Sequence, residues 1–154
     1  HAGLSGDVSA LIAASSLLYV AGIFRSSGDV DEETSQIVRW DGGSPGWYSL
    51  GVIQGRVNAL EVYSESLYVG GDFSRVGLVS TANLAVFRSG RWHSVGGGLN
   101  GAVHALLFSN SCLYIGGSFS RIYKEGSRAE DGAALYAARY CGQQLQAWFL
   151  YFDW

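Results

Sequence analysis

The chain has 154 residues, with 10 Lys and Arg against 13 Asp and Glu, a formal net charge of −3. At 48% hydrophobic and 15% charged residues, a disordered chain is excluded. A pI near 5.5 without a basic patch argues against a nucleic-acid partner, and no apolar run approaches the ~20 residues a membrane-spanning helix needs. The length predicts one domain or a piece of a larger one. Methionine is absent, the chain starts at His1, and it ends on the apolar stretch AWFLYFDW. Termini are usually polar and mobile, so the sequence is expected to be a segment of a longer chain.

Read from the N-terminus, the chain repeats itself. Val8-Ser9-Ala10-Leu11 opens the first copy, and Leu18-Tyr19-Val20-Ala21-Gly22 follows, with Phe24 two residues later. Ile37-Val38-Arg39-Trp40, Trp47 and Ser49-Leu50-Gly51 complete it. The second copy runs Val57-Asn58-Ala59-Leu60, Leu67-Tyr68-Val69-Gly70-Gly71, Phe73, Leu84-Ala85-Val86-Phe87, Trp92 and Ser94-Val95-Gly96. The third runs Val103-His104-Ala105-Leu106, Leu113-Tyr114-Ile115-Gly116-Gly117, Phe119, Ala137-Ala138-Arg139-Tyr140 and Trp148, where Leu150-Tyr151-Phe152 replaces the final step. Each copy holds four short strand-like runs. In the second they are 57–63, 66–71, 83–88 and 92–96, with Ser64-Glu65 and Ser89-Gly90 as tight turns. Runs such as LYVGG are apolar without alternation, which predicts burial on both faces of a sheet. A four-stranded sheet repeating every ~40–50 residues and buried on both faces fits a propeller blade between two others. The glycine pairs would let a backbone or a ring approach closely.

The apolar run ending in Gly-Gly, followed by an aromatic and then a tryptophan (Trp40/Trp47, Phe87/Trp92, Tyr140/Trp148), resembles kelch-type propellers. The stretch LYVGGDFSRVG is similar to galactose-oxidase central-domain-like arrays, as in fungal bud-site cortical marker ectodomains and some bacterial surface proteins. The first copy departs from the pattern, with Ala21 for the first glycine. The resulting expectation is an all-β, β-propeller-like fold. It has three four-stranded antiparallel blades, about 4–51, 52–98 and 99–154, and forms part of a larger propeller. Closed propellers need typically 4–8 blades. Three would leave an apolar blade face at each end, which predicts self-association or completion by missing blades.

Cys112 starts the second strand of the third copy and Cys141 follows its third, so the two are placed to face each other. A bridge would imply an oxidising compartment, and unpaired thiols are the alternative. The polar column Ser9, Asn58 and His104 lies on first strands, beside the axial channel of a propeller. Solvation of that wall is weighed above ligand binding. His93 reads as a packing residue. The acidic run Asp29-Val30-Asp31-Glu32-Glu33 lacks the spacing of a dedicated calcium loop, and no CxxC or Cys/His cluster points to zinc. No metal or cofactor is expected. The segments 25–36, 74–82 and 120–134 share one rim and vary in length and charge. Arg75 and Arg121 enter them at equivalent places, and Lys124 and Arg128 add charge.

The galactose-oxidase likeness carries over no catalytic residue, because no matching Tyr/His constellation is found. These readings predict a non-catalytic scaffold for protein or cell-surface recognition through the inter-strand loops, extracellular or cell-surface. The alternatives are a fragment of a secreted propeller enzyme with its active site elsewhere, and a carbohydrate-binding module. The regular places of Trp40, Trp47, Trp92 and Trp148 put them in the core, against the sugar reading.

Overall fold

The computed structural model describes residues 4–25, 34–43, 46–126 and 130–148. Every regular element among them is a strand, and every pairing is antiparallel. The strands are β1 (Ser5–Ala14), β2 (Leu17–Arg25), β3 (Thr34–Trp40), β4 (Trp47–Tyr63), β5 (Ser66–Val76), β6 (Val79–Ser80), β7 (Leu84–Arg88) and β8 (Arg91–Ser94). There follow β9 (Val103–Ser109), β10 (Cys112–Gly117), β11 (Arg121–Tyr123), β12 (Glu130–Ala133), β13 (Ala137–Cys141) and β14 (Gln144–Ala147). The pairs Ser64-Glu65, Ser89-Gly90 and Asn110-Ser111 all have positive φ. That is the two-residue hairpin geometry that matches the right-handed twist of paired strands.

The pairing order is β1-β2-β3-β4-β5-β7-β8 in one path and β14-β13-β10-β9 in another, and neither closes on itself. Within the first path, residues 47–52 of β4 pair with β3 and residues 53–63 with β5. The chain thus forms three four-stranded meanders, one per sequence repeat: a first sheet (β1, β2, β3, the start of β4), a second (the rest of β4, β5, β7, β8) and a third (β9, β10, β13, β14). A boundary between separate strands is expected near residue 52. Instead the backbone runs through it, with Gly51 and Gly55 at φ +147° and +132° redirecting one strand from sheet to sheet. Two segments expected as loops are partly paired: β6 folds back on β5, and β11 and β12 form a small ribbon.

The sheets stack face to face. Tyr19, Ala21 and Ile37 of the first sheet share a buried cluster with Val57, Leu60, Leu67, Val69, Phe73 and Ala85 of the second. On the other face of the second sheet, Leu84 and Val86 join Val103, Leu113, Ile115, Phe119 and Ala138 of the third. The second sheet is therefore buried on both faces, as its unbroken apolar runs predict. The two outward faces differ from each other. On the first sheet Val20, Phe24 and Val38 are already buried, in a small cluster with Leu4, Leu18 and Trp47. Val8 and Leu11 of β1 nonetheless stay exposed on the same face. The outward face of the third sheet does carry exposed apolar side chains, Leu107 and Trp148 among them.

Candidate functional site

The glycine pairs work by two separate mechanisms. A Cβ on the second glycine would strike backbone in all three copies. At Gly22 it would lie 2.1 Å from the Asp7 carbonyl, at Gly71 2.0 Å from that of Arg56, and at Gly117 2.1 Å from that of Ala102. Each of these glycines faces the first strand of its own sheet at a register shift. The first glycine serves the neighbouring sheet. A Cβ on Gly70 would lie 2.4 Å from Val103 Cγ1 and 3.4 Å from Leu106 Cδ1. The notch left by the missing side chain is where the third sheet seats its first strand.

The polar column is part of the same junction. Ser9 Oγ donates to the Val57 carbonyl at 2.7 Å, and Asn58 Nδ2 donates to the Val103 carbonyl at 2.9 Å. Each side chain thus reaches from one first strand to the next, over a sequence separation of 48 and 45 residues respectively. These two bonds hold sheets together, a role the sequence does not disclose. Among the described residues His104 has no such partner strand, and its Nε2 lies 2.7 Å from Ser118 Oγ. Two further bonds cross between sheets: Trp92 Nε1 donates to the Leu50 carbonyl at 2.7 Å, and the Phe108 amide donates to Glu61 Oε2 at 3.1 Å.

At one end of the stack, polar side chains at strand ends shape a rim. A cleft of about 360 Å³ between the second and third sheets is lined by Gln54, Asp72, Ser74, Asn83, Asn100 and Tyr123, among others. Asn83, at φ +65°, accepts from the Phe73 amide at 2.9 Å and donates to the Leu99 carbonyl at 2.9 Å. Asn100 Oδ1 accepts from the amides of Ser120 and Arg121, both at 2.9 Å. The two asparagines therefore fix the Phe-Ser-Arg steps at residues 73–75 and 119–121. Arg75 and Arg121 are exposed there, and Lys124 borders an adjoining cleft with Tyr123 and Glu125. Arg128 and the acidic run 29–33 lie outside the described residues. Among those described, no three His, Cys, Asp or Glu side chains gather as a metal site would require. Gln54, Asp72, Asn83 and Asn100 escaped the sequence reading, although Gln54 and Asn100 hold one repeat position, each directly before a glycine (Gly55 and Gly101).

The third tryptophan is misplaced by sequence alignment. Trp40 lies opposite Trp47 and Phe87 opposite Trp92, but Tyr140 lies opposite Leu145. Leu145 fills the Trp92 place and is buried, and a Cβ on Gly96 would lie 2.8 Å from its Cβ. His93 lies opposite Val86 as Gln146 lies opposite Arg139, so the column of His93 continues to Gln146. Trp148 sits on the outward face of the third sheet, edge-on to Tyr114 with ring centroids 5.2 Å apart. Trp47 and Trp92 are half-buried, whereas Trp40 and Trp148 are each 39% exposed, so the core assignment fails for those two.

Cys112 and Cys141 stand directly opposite each other on β10 and β13, with Cα atoms 4.6 Å apart, and are joined by a disulfide. No helix among the described residues is long and apolar enough to cross a membrane.

Burial raises the pKa of the Tyr68 and Tyr140 hydroxyls above the ordinary 10.0. Arg88 opposes the shift at both, and Tyr68 reinforces it at Tyr140. A raised folded-state pKa means that the neutral phenols favour the fold. Their contribution is complete below about pH 10 and fades as pH climbs through the higher folded values. The urea midpoint is expected to fall in that alkaline range, and to fall less steeply in a Tyr68→Phe/Tyr140→Phe variant. Equal slopes for the two proteins would contradict the assignment.

No protein-family model matches the chain, and no curated protein does. A solved structure with some similarity is that of a computationally designed protein, Ika8. It is 13% identical with a TM-score of 0.28, and the match covers 93% of this chain and 71% of that one.

Proposed function

We propose that this chain is a non-catalytic binding scaffold, a segment of a kelch-like β-propeller that recognises a protein or cell-surface ligand through the loops along one rim. The observation that carries this reading is the way the rim is built. Asn83 and Asn100 tie the loops to buried strand ends, so Arg75, Arg121 and Lys124 are presented from fixed positions beside polar clefts. Variable loops on a rigid frame are where recognition is usually placed. The succession of four-stranded meanders supports the propeller-segment reading, since each has the strand order of a blade. The Cys112–Cys141 bond supports an extracellular or cell-surface setting, where disulfides persist.

The test is a binding screen of residues 1–154 against a panel of purified ectodomains, repeated with an Arg75→Glu/Arg121→Glu/Lys124→Glu variant. An ectodomain bound by the native chain should lose affinity about a hundredfold with the variant, with circular dichroism and melting temperature unchanged. Binding that survives the three reversals would exclude the rim as the recognition surface.

A further inference from the structure

The two internal junctions follow one plan, and the plan is left half-complete at each end of the stack. At the junction of the second and third sheets, Val103 and Leu106 of β9 fill the notch at Gly70, while Asn58 donates to the Val103 carbonyl. At the junction of the first and second, Val57 and Leu60 pack in one cluster with Ala21, which holds the place of Gly70, and Ser9 donates to the Val57 carbonyl. The third sheet repeats the receiving half. Gly116 stands where Gly70 does, and among the described residues the position its Cβ would take has only Ala105 Cβ nearby, at 3.9 Å. Among those residues this notch is open. His104 stands where Ser9 and Asn58 do, with no following carbonyl to bond. Leu107, Tyr114, Ala137 and Trp148 make the surroundings apolar. Arg139 is no obstacle, because Arg39 occupies the same repeat position on the first sheet, under a docked neighbour, with its guanidinium 5.4 Å from the Tyr48 ring centre.

The inserting half is equally unused at the other end. Val8 and Leu11 of β1 are the repeat equivalents of Val103 and Leu106, and they are 47% and 65% exposed. Their counterparts Val57 and Val103 are 1% and 0% exposed. One molecule thus carries both an empty notch and the side chains of the kind that fill it, on opposite outer surfaces. A contact between two different patches of identical chains is head-to-tail.

We propose that the outward face of the third sheet, centred on the Gly116 notch and edged by His104, is a docking site for the Val8–Leu11 segment of β1 from a second copy of this chain. Val8 and Leu11 enter beside Gly116 as Val103 and Leu106 do beside Gly70. His104 then turns from Ser118 to donate to the Val8 carbonyl of the second copy.

Light scattering after size exclusion tests this on residues 1–154, with circular dichroism as the check on folding. The native chain should elute at a multiple of 16.5 kDa, and a single-chain mass at all concentrations would overturn the proposal. Gly116→Leu closes the notch in open space and Val8→Asp charges an exposed side chain, so both variants should fold. Each alone should dissociate at a concentration at least about tenfold higher than the native chain. Mixed together, they should recover a one-to-one pair, because the Val8→Asp copy keeps an intact notch and the Gly116→Leu copy keeps an intact β1. A Val8→Asp variant that still associates, or a mixture that stays dissociated, refutes the head-to-tail contact.

Discussion

Phe119→Ala should destabilise the chain by about 3–5 kcal/mol, the usual cost of removing a buried phenylalanine. Phe119 is 1% exposed and sits among Leu99, Val103, Leu113, Ile115 and Ile122. Val103, Leu113, Ile115 and Ile122 belong to strands with fixed register, Leu99 bridges to Ile122, and none can collapse far into the void. Domains commonly have only about 5–15 kcal/mol of stability in all, so this single change removes a large share of it. The matching control is Leu78→Ala. Leu78 is apolar too but 96% exposed, and its loss should change the unfolding free energy by less than about 0.5 kcal/mol. If the two variants unfolded at similar urea concentrations, the buried cluster would not be the source of stability.

Removal of the disulfide is the other large effect. Cys112 and Cys141 close a span of 29 residues, and freeing a loop of that size in the unfolded chain costs about 3 kcal/mol. A Cys112→Ala/Cys141→Ala variant should lose that amount in urea denaturation. Dithiothreitol should lower the native chain to nearly the same midpoint and leave the variant where it is. A native chain indifferent to reductant would mean that the bridge does not form in solution.

The strands were legible because the pattern recurs. Leu67, Val69 and Phe73, with their counterparts in the other copies, mark the second strand of each sheet, and the Ser64-Glu65 turn marks a hairpin. What recurs in sequence also recurs in structure, down to the collision that reserves Gly22, Gly71 and Gly117 for glycine. A further column, Gly6, Gly55 and Gly101, lies two residues before each opening valine and was equally available to inspection. The tryptophan error had a remedy in the sequence too. Phe87 and Trp92 are five residues apart, as are Tyr140 and Leu145, whereas Trp148 lies eight beyond Tyr140. Chemical conspicuousness outweighed spacing.

Other features could not be read. The acceptors of Ser9 and Asn58 are backbone carbonyls on a neighbouring sheet, and a carbonyl has no letter in the sequence. At the end of the stack Val20, Phe24 and Val38 are buried in a cluster that Leu4, Leu18 and Trp47 pack against, a matter of packing rather than pattern. The rim was visible only as loop length and charge. Its organising residues, Asn83 and Asn100, act through backbone amides of their own repeat, and Asn83 also through the Leu99 carbonyl of the next, partners that have no letter in the sequence.

The unbroken β4 links the fates of the sheets on either side of it. Its first residues are the last strand of one sheet and its remainder the first strand of the next, so a fluctuation that peels it from β5 also loosens its hold on β3. The first two sheets are therefore expected to open and close as one cooperative block, which hydrogen exchange would show as joint exchange of amide protons along β3 and β5. The third sheet is reached through the turn at Gly96-Gly97-Gly98, and its disulfide joins two of its own strands. It is the separate block, able to fray at its outer edge while the other two remain shut.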